Sequence, residues 1–266
     1  MKKFLFFIIV ILVISFSFIH FFIAPKLIQN VKSHLKDLGF NNAESQGVGY
    51  KIDGLNISKI YLDKDKFSTV KNFKLTFSWP ALILNKTVLS ISVDELNLVL
   101  TSKELTDRIK SFSPIKVNFS NPVSINKINI DVATTNAPIR LNGNLKSQLF
   151  EGYNNYLLNL DASQNNLSFN SKTTFRNDLQ NGLYLDGIIS NLNINLYDFS
   201  LKRAESWFSI SANKNDFDLS AELNAGSGKI FNLPLQSINI TAGKSDNYLP
   251  IIFRSKISGN ETTTLS

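Results

Sequence analysis

The chain has 266 residues, is 43% hydrophobic and 18% charged, and carries a net charge of +7; that balance belongs to a folded body, not a disordered one. It contains no cysteine, which excludes a disulfide framework and a thiolate metal site. Its two histidines are His20, inside an apolar run, and His34 just after it, so the rest of the chain has no imidazole for metal ligation or general-base chemistry.

Lys2 and Lys3 precede an uncharged stretch from Phe4 to Ile23. At about 1.5 Å per residue a helix of that length covers roughly 30 Å, the thickness of a bilayer core. Residues 1–25 are therefore expected to be a membrane anchor, with Phe4, Phe7, Ile11, Phe18 and Ile23 facing lipid. The rival is a cleaved signal peptide, whose apolar part is shorter, about 7–15 residues, and ends in small residues. Here Phe22 stands where a small residue is wanted, and Ser15 and Ser17 offer only a weaker internal site. The positive-inside bias puts the N-terminus in the cytoplasm and the body across the membrane, with Lys26 opposing slightly.

Residues 26–40 read as an amphipathic helix. Pro25 suits a first turn, Leu27, Ile28, Val31, Leu35 and Leu38 recur at helical spacing, and Gly39 is a stop signal. Such a helix lies at the membrane surface or caps one end of a sheet, with His34 on its polar side.

From Val48 onward the period is two, which predicts antiparallel strands with one wet face. Phe73, Leu75, Phe77 and Trp79 form one apolar set; Leu89, Ile91 and Val93 another; Leu192, Ile194 and Leu196 a third. The parity flips within runs. Leu55 and Ile57 give way to Ile60 and Leu62, Val93 to Leu96, and Ile125 to Ile128. One skipped residue keeps the apolar side chains on one face if the strand bulges there. No Gly, Pro or Asn-Gly occurs at Ser58-Lys59 or Asp94-Glu95, so long bulged strands are expected in preference to pairs of short ones. Turn signals fall at Asp63-Lys64-Asp65-Lys66, Asn136-Ala137-Pro138, 151–155, 177–182, 213–216 and Gly226-Ser227-Gly228, giving twelve to fourteen strands. Thr101 with Glu104 resembles a capping box opening a helix through Leu105, Ile109 and Phe112. Pro80 to Leu84 reads as one helical turn, and Asp198 to Phe208 as ambiguous.

Phosphate loops, nucleophile elbows, paired-histidine motifs and calcium loops are absent. No enzyme, no cofactor and no metal are expected. The lysines are scattered without an arginine and aromatic cluster, so the charge reads as a solvated surface, with no nucleic-acid partner.

The order of these features is similar to the opening of AsmA-like proteins, especially the YdbH branch. The residues that carry the likeness are Gly54 to Leu62, Val70 to Pro80, Val88 to Leu100, and Ala225 to Leu235 with its Leu233-Pro234-Leu235 element. The resemblance implies a long, twisted antiparallel sheet curled into a groove, fixed in the inner membrane and carrying phospholipid toward the outer membrane. It supplies no catalytic residues. Family members are much longer. Some thirteen strands about 4.8 Å apart make a sheet of roughly 60 Å, short for linking two membranes alone, and Ser258 to Ser266 bring no closing element, so a fragment or one piece of an assembly is expected.

The expected organisation is thus a β-groove domain over 41–266. Its lipid-lining candidates are Phe73, Leu75, Phe77, Leu89, Ile91, Val93, Leu192, Ile194 and Leu196. Its partners are phospholipid, the inner membrane, and an outer-membrane or periplasmic protein. The alternative is a membrane-anchored adaptor with a closed β-sandwich core, because a sandwich alternates in the same way. An outer-membrane barrel fits poorly, since its export uses a cleaved signal.

Overall fold

The computed structural model describes residues 24–37, 39–51, 54–76, 90–105, 122–134, 138–150, 153–164, 166–178, 182–212, 217–231, 233–243, 251–257 and 261–265. The apolar stretch Phe4–Ile23, with every anchor residue named above, lies outside them, as do Pro80 to Leu84. Among the described residues no helix is long and apolar enough to cross a membrane.

The first element is helix α1 (Ala24–Asp37), with Pro25 in its first turn. Ile28, Val31 and Leu35 are half-buried, while Lys26, Lys32 and Lys36 are exposed. The stop at Gly39 has a clear physical basis. Its φ of 87° is left-handed, a conformation glycine adopts without a Cβ clash. This lets the Gly39 N–H reach the Lys36 carbonyl (2.8 Å) and the Phe40 N–H reach the Leu35 carbonyl (2.9 Å). Two carbonyls that the helix end would orphan are thereby satisfied.

The remainder is β. The chain clusters into two compact units, Met1–Asn97 and Leu98–Ser266. The first holds β1 (Glu44–Lys51), β2 (Gly54–Tyr61), β3 (Thr69–Thr76) and most of β4 (Ser90–Thr101), antiparallel in sequence order. The second holds β5 (Val123–Ala133), β6 (Ile139–Phe150), β7 (Tyr153–Ser163), β8 (Leu167–Asp178), β9 (Gly182–Asn195), β10 (Phe199–Ala212), β11 (Phe217–Ile230), β12 (Leu233–Gly243), β13 (Ile251–Ile257) and β14 (Glu261–Leu265). These too pair antiparallel, each with its sequence neighbours, and the sheet does not close. The ambiguous Asp198 to Phe208 segment is mostly strand, in β10. Gly226-Ser227-Gly228 is not a turn but lies inside β11, for a reason given below.

The turn signal after β2 and the capping box after β4 act as expected, while Ile109 and Phe112 of the expected helix lie outside the described residues. The Thr101 N–H donates to Glu104 Oε2 (2.7 Å), the Glu104 N–H donates back to Thr101 Oγ1 (3.2 Å), and a helix opens at Ser102. In the turn between β2 and β3, the Asp63 carboxylate accepts from the N–H groups of Phe67 (2.9 Å) and Ser68 (2.7 Å). Partial burial would raise its pKa, but hydrogen bonds from the Ser68 hydroxyl and the Ser68, Phe67 and Lys66 amides outweigh that and lower it. A carboxyl with a lowered folded pKa contributes stability that is complete above its unfolded value, about 4, and is lost as pH falls through the folded value. Asp63→Ala is expected to cost about 1 kcal/mol at neutral pH. In urea titrations the gap between the variant and the wild type should narrow below pH ~4. A gap that does not change with pH would show that the charge on Asp63 plays no part.

Candidate functional site

The parity flips are not isolated bulges. In β1 to β4 the extra residue occurs in every strand and in one transverse row. Ser58 donates its hydroxyl to the Gly47 carbonyl (3.1 Å), and Asn72 donates its amide to Asp94 Oδ2 (2.9 Å). Gly47 and Asn72 have φ of 68° and 50°. Because each strand carries the same insertion, the pairing on both sides of the row keeps one register, from Glu44↔Tyr61 to Lys51↔Gly54. A bulge in one strand alone would slip the register by one residue. That happens where β5, which has an extra residue, meets β6, which has none: the shift lies between Ile125 and Ile128.

A second row crosses β9 to β12 at Asn191, Arg203, Gly226 and Ser237. Three of these have left-handed backbone, with φ of 53°, 52° and 52° for Asn191, Arg203 and Ser237. On both flanks the row ends in a one-residue slip, at Ser168/Asn170 on β8 and at Gln236/Asn239 on β12 against β13. Gly226 therefore reads as a turn in sequence but serves as the extra residue of a continuous strand.

These rows decide where the dry floor lies. In the second unit the buried cluster is Leu192, Leu201, Ala204, Ala225, Leu235 and Ile238, the residues that flank the row. Farther from it, Phe169, Ile189, Ile194, Phe199, Leu223, Ile230, Ile240 and Phe253 pack against that floor but stay half-exposed. Side chains reach across the row. A Cβ placed on Gly228 would stand 2.6 Å from Ile238 Cδ1 and 3.2 Å from Leu201 Cδ2. The sheet is thus creased toward its apolar side, with a short limb leading to the β9–β10 and β11–β12 turns and a longer limb beyond. On the long limb the Phe208 ring covers Gly187, where a Cβ would meet it at 2.2 Å. Tyr156 on β7 is fully buried and stacks on its cross-strand partner Phe175, centroids 5.1 Å apart. Burial pushes its hydroxyl pKa up to about 12. In the first unit the residues flanking the row, Ile57, Ile60, Val70 and Val93, are likewise buried.

The opposite face is polar and cross-linked by amides. Asn170 donates to Asp161 (2.8 Å) and Asn191 donates to Asn170 (3.2 Å). Glu222 accepts from Asn224 (3.0 Å), the Trp207 indole (3.1 Å) and Asn239 (2.8 Å). These three donors lower its pKa, Asn224 most, so it stays ionised. Among the described residues no group of acidic, histidine or cysteine side chains is placed to hold a metal.

Of the lining residues expected from sequence, Phe73 and Leu75 in β3, Ile91 and Val93 in β4, and Leu192 and Ile194 in β9 lie on the apolar faces of their units, half-buried or buried. Phe77 and Leu89 lie outside the described residues. Leu196 is a correction. β9 ends at Asn195, the Leu196 N–H turns to the Phe199 carbonyl (2.8 Å), and the side chain is 59% exposed in the turn. Alternation carried one residue too far there, because the turn breaks the pleat. The floor residues Leu201, Ala204, Ala225, Leu235 and Ile238 were not among the expected lining. Their signal was present as further parity flips, Leu201 to Ala204, Ala225 to Gly228 and Leu235 to Ile238. No family model, curated protein or solved structure matches the chain.

Proposed function

We propose that this protein is a membrane-anchored lipid carrier of the AsmA-like, YdbH-type kind, holding phospholipid acyl chains on the creased apolar face of its sheet. In this reading residues 4–23 fix it in a bacterial inner membrane and the β body works in the periplasm, passing lipid toward the outer membrane. The observation that carries the reading is the division of the apolar face into a dry floor and half-exposed walls. A core made only for stability gains by covering such walls, at about 25 cal/mol for each Å² removed from water. Walls left accessible on both limbs of a crease suit a guest that is itself apolar and is exchanged. No single polar contact fixes the guest, so it can slide along the crease from strand to strand. Headgroups would remain in water beyond the limbs.

The full chain, purified in a mild detergent and exchanged into lipid-free conditions, is expected to retain phospholipid detectable by native mass spectrometry and organic extraction. A body that carries no lipid and takes up none from vesicles would rule the carrier out and favour a stable core serving a protein adaptor.

A further inference from the structure

The short limb of the second unit ends in a lip that a soluble surface does not need. Leu196 is 59% exposed, Tyr197 98%, Phe231 75% and Leu233 55%. They belong to two neighbouring turns, β9–β10 and β11–β12, joined by a hydrogen bond from the Phe231 N–H to the Asp198 carbonyl (2.8 Å). That bond holds Phe231 at φ 44°, a left-handed backbone that a bulky residue rarely adopts. Glycine would fit there without strain, and Asn232 follows. An aromatic side chain kept exposed in a strained conformation is a mark of use.

We infer that this lip enters the headgroup and upper acyl region of a lipid bilayer. Tyr and Phe with two leucines combine an apolar body with one hydroxyl, the chemistry favoured at a membrane–water interface. Directly behind the lip the exposed cationic side chains are Lys202, Arg203 and Lys229, opposed by Asp198 in the turn itself and by Glu205 farther along β10. The balance is positive and complements anionic phosphate headgroups. Four apolar side chains are also few for a stable protein interface, which takes about 20–30 residues a side. A bilayer needs only a few inserted side chains. The inference concerns the lip alone and holds whether or not the crease carries lipid.

The test uses the absence of cysteine. Leu196→Cys places one environment-sensitive dye on the lip, and Lys172→Cys places the same dye on an exposed strand position as a control. The full chain is held in nanodiscs, and protein-free vesicles of phosphatidylcholine, alone or mixed with phosphatidylglycerol, are added, with spin-labelled phospholipid in both membranes. The dye at 196 is expected to shift to the blue and to be quenched by the spin-labelled lipid, while the dye at 172 does neither. In the Leu196→Cys background, Lys202→Glu and Lys229→Glu should each weaken association with the anionic vesicles at least about fivefold. Phe231→Gly should weaken it on both vesicle types while raising Tm by about 2–4 °C through relief of strain, which separates lost contact from lost folding. A dye at 196 that remains as water-exposed as the dye at 172 overturns the inference. So does shielding that depends on protein concentration without lipid, which would mean that the lip meets a second copy of the chain.

Discussion

Leu201→Ala is expected to destabilise the second unit by about 2–5 kcal/mol. Leu201 is 2% exposed at the bottom of the crease, against Ala204, Ala225, Leu235 and Ile238. Two features prevent the neighbours from closing the void. Ala204 and Ala225 beside it are too short to fill the space that Leu201 leaves. The backbone on each side is fixed by strand pairing, from Phe199↔Ile230 to Ala212↔Phe217, so the limbs cannot settle inward. Urea unfolding followed by Trp207 fluorescence in a Trp79→Phe background measures the change. Leu196→Ala, in the exposed turn, is the control and should stay within about 0.5 kcal/mol of the wild type. Equal losses at the two positions would mean that the crease is not the core.

Ile189→Asp combined with Ile240→Asp should have the opposite profile. Both residues are half-exposed wall positions, on β9 and β12 with two strands between them. Their carboxylates can keep water in the empty protein, so the cost in stability stays well below that of the floor variant. An acyl chain lying on the same wall would have to strip that water or leave. Phospholipid recovered per mole of protein is therefore expected to fall about tenfold or more, since about 1.4 kcal/mol of added desolvation suffices for that factor. Together the two variants separate fold from function: the floor substitution loosens the protein, and the wall substitutions empty it. Undiminished lipid in the doubly acidic variant would mean that the lipid binds elsewhere.

The strands themselves were legible because one face is apolar and the other polar, and the pleat turns that difference into a period of two. β3, β4 and β9 follow from Phe73 and Leu75, from Ile91 and Val93, and from Leu192 and Ile194. The bulges at Ser58-Lys59 and Asp94-Glu95 were legible too, since a parity flip without Gly, Pro or Asn-Gly favours a bulge over a turn. The end of β9 was not. Leu196 continues the alternation in sequence and departs from it only because hydrogen bonding to Phe199 closes the hairpin. Gly226 was misread for a related reason. A glycine pair is a turn signal when considered along the chain, and an inserted residue when its neighbours in β10 and β12 carry the same insertion.

By itself the sequence determined a mainly β chain, a basic helix ended at Gly39, and the faces of most strands. These are short-range properties, set by side-chain periodicity and by local backbone preference. Tertiary structure alone decided that the flips line up in rows, that side chains close over the row of the second unit, and that its floor is made of Leu201, Ala204, Ala225, Leu235 and Ile238. Register is a relation between strands, and a bulge has no transverse position until its neighbours are paired with it. The same holds for the lip at Tyr197 and Phe231, residues that are thirty-four apart in the chain. They become neighbours only when the Phe231 N–H meets the Asp198 carbonyl.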